Sequence, residues 1–392
     1  MPMRPSVACA KRADGGAAWL DRRRAGCFWV VAACLAALPV APAAAAPAAG
    51  SAPAASSARA VPAASAAPAA LALTGLGAAT AIDPTTAVDP VPAAAGARLR
   101  ELDPEALDAA AVRDVLSHVP APRILLFQGS VPLVTMAPVA EFLIAMGYPA
   151  AQLADPRTGG YSRSSFADAS RLAGEVAWHY ERDGMRPLLI GHSQGGMIAI
   201  RILHELAGGF RDELPVWDPV SDAPLPRTTI VDPLTGAERP VVGLSVSYAS
   251  ALATGMLPRL MLGQWDMIRR LHDIPDSVDE FVGFVLPFDP IAGTLGGGAP
   301  YAASGRAQVR NVTLPASYRH IGLPDIAHLA ADPVTREWIE RYTPTASLPP
   351  PDAEADTTNL LHAAILWHDV KKHWCIESQR LRAARVRLAG GT

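Results

Sequence analysis

Two kinds of apolar pattern alternate along residues 120–342. Short unbroken runs occur at Ile124-Leu125-Leu126-Phe127, Leu188-Leu189-Ile190, Pro240–Val246, Phe281–Phe288 and Val309–Leu314. Unbroken rather than alternating runs describe strands buried on both faces. Between them stand segments with helical spacing: Met136–Tyr148, closed by Gly147; Phe166–Arg182, closed by Asp183-Gly184; and Met197–Leu206, where Ile198, Ile202 and Leu206 form one stripe. Strand, helix, strand, helix with turn signals between them predicts an α/β fold, a mostly parallel sheet with helices on both faces. Further helices are expected over 98–118, where Asp103-Pro104-Glu105 offers a cap followed by proline, over 333–341, and from about Asn359 onward.

Two stretches break the rhythm. Residues 211–240 are rich in turn formers (Trp217-Asp218-Pro219, Pro224, Pro226, Asp232-Pro233, Thr235-Gly236) and predict an exposed insertion with a hairpin. Residues 251–280 carry Met256, Leu257, Leu260, Met261, Leu262, Trp265, Met267 and Ile268. A methionine-rich apolar surface adapts to varied hydrophobic ligands, so this segment is the expected cap or lid; packing of the same residues onto the core is the alternative.

Composition changes the picture mainly at the N-terminus. Residues 1–46 combine a basic start (Arg4, Lys11, Arg12, Arg22, Arg23, Arg24), the apolar run Cys27–Leu38 and small residues from Ala41, the layout of a secretory signal peptide. The run is short for a membrane span, although an uncleaved anchor is the alternative. Val31-Ala32-Ala33-Cys34 also resembles a lipoprotein box, and Arg22-Arg23-Arg24 fits a twin-arginine signal poorly. The expected location is periplasmic or extracellular. Residues 47–97 are an Ala/Pro-rich spacer with no means of building a core. The expected catalytic domain is 98–345, and 346–392 is a linker followed by a helix docked through Leu361, Ile365, Trp367 and Trp374. Removing the +4 of residues 1–46 from the chain's −3 leaves −7, which argues against a nucleic-acid partner. Beyond residue 46 only Cys375 remains, so the expected mature chain has no intrachain disulfide.

The chemistry centres on Leu188-Leu189-Ile190-Gly191-His192-Ser193-Gln194-Gly195-Gly196. An apolar strand, Gly-x-Ser-x-Gly and an amphipathic helix together describe a nucleophile elbow, a serine held on a sharp strand-to-helix turn. Gly191 and Gly195 leave room where side chains would collide, and the helix N-terminus turns N–H groups toward a developing oxyanion. A serine hydroxyl needs a base, and the base needs an orienting group. Asp289, directly after the run 281–288, is the expected acid; a plain turn-opening role before Pro290 is its alternative. His328, ahead of the 333–341 helix, is the expected base, and His320 is the other candidate. The oxyanion donors are expected to be the backbone N–H groups of Gln194 and, from the turn Gln128-Gly129-Ser130-Val131, of Ser130.

These residues resemble the α/β-hydrolase superfamily, and within it bacterial secreted lipases and esterases, over residues 120–342. The resemblance implies hydrolysis of carboxylic esters through an acyl-serine intermediate, with no cofactor; the apolar lid would suit a hydrophobic acyl-ester substrate and transient lipid-surface contact, and no metal is expected. Gln128-Gly129 departs from the His-Gly that many lipases carry at the oxyanion turn, and the absence of strands before residue 120 implies a sheet shortened at one edge. An acyltransferase or thioesterase using the same triad, or a non-catalytic binding protein that retains the elbow, are the competing functions. His362, His368 and His373 lack the i, i+4 spacing of helical metal ligands, and Asn311-Val312-Thr313 matches a glycosylation acceptor too common to use.

Overall fold

The computed structural model describes residues 93–255, 264–295, 298–345 and 348–390. The signal-type segment 1–46 with Cys34, nearly all of the spacer 47–97, and Met256, Leu257, Leu260, Met261 and Leu262 of the expected lid lie outside the described residues. Five strands form the central sheet: β1 (Ile124–Phe127), β2 (Leu188–His192), β3 (Val246–Leu252), β4 (Val278–Val285) and β5 (Gln308–Thr313). They lie side by side in that order and every neighbouring pair is parallel. β1 is an edge strand, in keeping with the lack of strand patterns ahead of residue 120.

The apolar runs are unbroken because alternate side chains enter two different cores. Leu125, Phe127, Leu189, Ala249 and Phe281 point to one, shared with α4 (Ala169–Asp183) and α5 (Gln194–Leu206). Ile124, Leu126, Leu188, Ile190, Val282 and Phe284 point to the other. There they meet α3 (Ala137–Ala145), α6 (Ala327–Ala331) and α8 (Leu360–Gly390). Helices therefore cover both faces of the sheet.

Local chemistry sets the helix ends. The Asp168 carboxylate accepts the Ser170 N–H at 2.9 Å to start α4, and Gly184 at φ +71° ends it. Asp332 caps α7 (Pro333–Arg341) by accepting from Thr335 N at 2.9 Å, with Pro333 in the first turn. The expected single helix over 98–118 is instead α1 (Ala93–Glu101) and α2 (Ala109–Asp114). Asp103-Pro104-Glu105 forms the turn between them, and the working cap is Asp108, which accepts from Ala111 N at 2.7 Å. The insertion 211–240 holds two small antiparallel pairs, 217–218 with 223–224 and 229–231 with 238–240.

One strand is displaced from its expected place. The run Pro240–Val246 contributes buried Val241 and Leu244, but Gly243 at φ +95° turns the chain and β3 begins only at Val246. β3 also carries Ser247 and Tyr248, polar groups that a buried strand tolerates here because α8 answers them. Ser247 Oγ lies 2.7 Å from His373 Nδ1, and the Tyr248 hydroxyl donates to Asp369 at 3.1 Å. Asp369 also receives Arg310 from β5 at 2.7 Å, and Glu377 receives the Arg186 guanidinium at 2.7 Å. α8 thus docks through Trp367 and Trp374, both buried, and through a seam of paired charges. Each charge in that seam would be costly alone. Among the described residues no helix is long and apolar enough to cross a membrane.

Candidate active site

In a parallel sheet the strand C-termini share one edge, so the loops that follow them converge there. Ser193 follows β2 with φ +54° and ψ −120°, backbone that a residue with a side chain rarely adopts. The surroundings fix it there. Ser193 N donates to Leu252 O at 2.8 Å at the end of β3, and the Thr254 hydroxyl donates to Ser193 O at 2.8 Å. The flanking glycines are required: a Cβ on Gly191 would strike the backbone of Gly195, and one on Gly195 would strike the carbonyl of Phe127. α5 begins at Gln194, so the positive end of a 13-residue helix lies beside the serine.

The loop after β1 closes on the same point. A Cβ built on Gly129 would lie 3.2 Å from Ser193 Cβ and 3.6 Å from its Oγ. Gln128 N is committed to Arg163 O at 3.0 Å, and Gln128 Oε1 accepts from the Ser162 hydroxyl at 2.7 Å. Ser162 in turn accepts from Met136 N at 3.0 Å, tying down both ends of the loop 128–136. Arg163, which forms a bridge beside Phe127, is held by the fully buried Glu175 on α4 and by Asp155 at 3.3 Å. With Gln128 N engaged, the next backbone N–H groups of this turn are those of Gly129, which lies against Ser193, and Ser130.

Asp289 follows β4 and is buried. Its Oδ2 lies 2.6 Å from His320 Nδ1, while Oδ1 accepts from Ile291 N at 3.0 Å and Ala292 N at 2.9 Å. Burial pushes the Asp289 carboxyl up, but the His320 hydrogen bond and the two backbone donors outweigh it and hold the group below its ordinary range. A carboxylate accepts, so Nδ1 carries the proton and the neutral ring presents a bare, basic Nε2. The His320 ring lies 5.0 Å, centroid to centroid, from that of His192, the residue before Ser193.

His328 is placed elsewhere. Residues 327–331 form the short helix α6 rather than an open loop, and His328 Nε2 contacts Asp356 O at 3.1 Å while Nδ1 lies 4.0 Å from Asp325. Of the five histidines after β5, the sequence offered two as the base, His320 and His328. The Tyr318-Arg319-His320 turn stays at the strand edge, whereas the chain has moved away onto α6 by residue 328. The geometry pairs Asp289 with His320, sets His320 against His192 next to Ser193, and brings Gly129 up to Ser193, while His328 contacts Asp356 and Asp325 instead.

Several neighbours carry no motif of their own. His192 sits inside the elbow sequence as a polar end to an apolar strand, a signal available but unused. Thr254, Ser162 and Arg163 had none. The Gln194 side chain donates to Gln264, just after the undescribed part of the lid, and Asp266 pairs with Arg201 of α5 at 2.8 Å. A cavity of about 370 Å³ lies behind the acid, lined by Thr254, Phe284, Leu286, Asp289 and Tyr301 among others; neither Ser193 nor His320 borders it. The tail histidines are separately engaged: His362 with Leu323 O, His368 with Asp369, and His373 with Ser247 and Glu280. Among the described residues no cluster of His, Cys, Asp or Glu is arranged to hold a metal. The Asn311 amide exchanges two hydrogen bonds with the Tyr301 backbone, at 2.9 Å each. No protein-family profile, characterised protein or solved structure is detectably similar to this chain.

Proposed function

We propose that the chain is a serine hydrolase of the α/β-hydrolase type, cleaving carboxylic esters through an acyl-serine intermediate. The observation that carries this reading is the strained backbone of Ser193 at a helix N-terminus, on the same sheet edge as the Asp289–His320 hydrogen bond. Ser193 Oγ attacks the ester carbonyl as His320 Nε2 takes its proton, and the C=O π pair moves onto oxygen. The N–H of Gln194 and that of Gly129 or Ser130 receive the oxyanion. Collapse expels the alkoxide, which leaves as the alcohol with the proton from His320. Water, deprotonated by the same imidazole, then cleaves the acyl-serine and regenerates the enzyme. Asp289 holds the ring tautomer throughout and stabilises the imidazolium.

A hydrophobic acyl group is favoured by what surrounds the site. Large apolar side chains stand exposed next to its members: Phe288 beside Asp289, Ile321 beside His320, Leu133 in the loop after β1, and Trp265 beside Gln264. Exposed large apolar residues next in the chain to a site's members favour an apolar ligand. A p-nitrophenyl ester series of increasing chain length, with Ser193→Ala as control, tests the reading. Turnover that disappears in the variant and rises with chain length in the parent supports it, and turnover unchanged in Ser193→Ala ends it.

A further inference from the structure

One polar side chain at the site has no task in the acyl-transfer scheme. His192 ends β2, is 2% exposed, and places Nε2 2.8 Å from the backbone carbonyl of His320. A carbonyl oxygen only accepts, so Nε2 carries the proton and donates. Nδ1 is therefore bare in the neutral ring, and it is buried with no hydrogen-bond partner, 3.4 Å from where a Cβ on Gly129 would be. No acceptor stands within hydrogen-bond distance of Nδ1 to take a second proton's bond.

We propose that His192 is a positioning residue for His320: as a neutral donor it ties the backbone of the base to the strand that carries the nucleophile. The inference rests on the Ser193–His320–Asp289 reading. His320 is then gripped twice, its ring by Asp289 at 2.6 Å and its main chain by His192 at 2.8 Å. The loop as a whole is anchored by buried Tyr318, whose hydroxyl accepts from Leu361 N at 3.0 Å, and the His192 contact acts at residue 320 itself. Both grips together fix Nε2 relative to Ser193, although residues 192 and 320 lie far apart in the chain. Neutrality matters as well, because the base becomes a cation during acyl transfer and a charged ring 5.0 Å away would oppose it. Burial, and after it the neighbouring His320, push His192 down to about 3, so it stays neutral through the working range.

The test uses the full chain, one p-nitrophenyl ester and three substitutions, with Ser193→Ala in parallel. His192→Phe keeps the ring's shape and removes the donor. Its kcat is expected to fall about 100-fold with KM changed less than about two-fold, the pattern of a misplaced catalytic group. His192→Gln reaches as far as Nε2 and is expected to recover most of the loss. His192→Asn carries the same amide one carbon short and is expected to behave like Phe. Phe within about two-fold of the parent overturns the proposal, as does a lowered melting temperature with kcat unchanged, since loss of catalytic alignment must register in kcat. Should Phe fail to fold, equal activity in Gln and Asn overturns it just as well. Activity that survives in Ser193→Ala is a different failure, one of the acyl-serine reading itself.

Discussion

Two serine–histidine–carboxylate sets occupy opposite edges of the sheet, and only one carries the features that the proposed chemistry needs. At the strand N-termini, Ser247 Oγ lies 2.7 Å from His373 Nδ1, and His373 Nε2 lies 3.2 Å from Glu280. By hydrogen bonding alone this is the more complete triad. Yet Ser247 lies within a regular strand, is fully buried, and has no helix N-terminus beside it. Glu280 is also shared with Lys372 at 2.8 Å, which anchors α8. Ser193 has what Ser247 lacks: a sharp bend that presents the hydroxyl, two loops converging on it, and α5 starting at the next residue. Hydrogen bonds alone do not separate the two, since both serines are buried; the strained bend and the helix N-terminus beside Ser193 do.

The sharpest way to break this contrast is to remove each hydroxyl. Ser193→Ala should lower ester turnover by about 10⁶-fold, and Ser247→Ala by less than about two-fold, in initial-rate assays on matched folded protein. Next comes the acid: Asp289→Asn should cost about 10⁴-fold through the wrong tautomer of His320, whereas His328→Ala should leave kcat/KM nearly unchanged. A large loss in His328→Ala with Asp289→Asn silent would reverse the assignment.

The other triad should show itself in stability. Burial pushes the Glu280 carboxyl up, but His373 and Lys372 more than compensate and hold it at about 2, against 4.5 in an unperturbed chain. Because the folded state lowers this pKa, the stabilisation is complete above about 4.5 and is lost as the pH falls toward 2. Glu280→Gln should cost about 3 kcal/mol in denaturant titrations near neutral pH, and the gap to the parent should close across that acidic window. A constant gap would separate Glu280 from the acid response. Smallest is the rim: Phe288→Ser and Leu133→Ser should each raise KM for long-chain esters by roughly ten-fold and leave short-chain esters alone, the equivalent of one large apolar contact.

The sequence showed some of this plainly. The bend at Ser193 was legible because its glycine spacing and apolar flanks are demanded by local sterics, while the pairing of Asp289 with His320 shows only in three dimensions. His320 was not separable from His328, since the choice depends on whether 327–331 coils into a helix. β3 was misplaced because its Ser247 and Tyr248 are buried against partners on α8, over a hundred residues later. The charges of α8 itself look like those of a solvated helix until Arg186, Arg310 and Glu280 are seen facing them.

That last dependence decides what truncation does. The elbow and its strand neighbours all precede residue 360, and Arg186–Asp279 and Arg310–Glu280 pair among themselves, but Glu377, Asp369 and His373 of 360–390 complete these pairs and cover one face of the sheet. A chain cut at residue 359 would leave that face bare, so it should fail to fold cooperatively instead of losing only a tail.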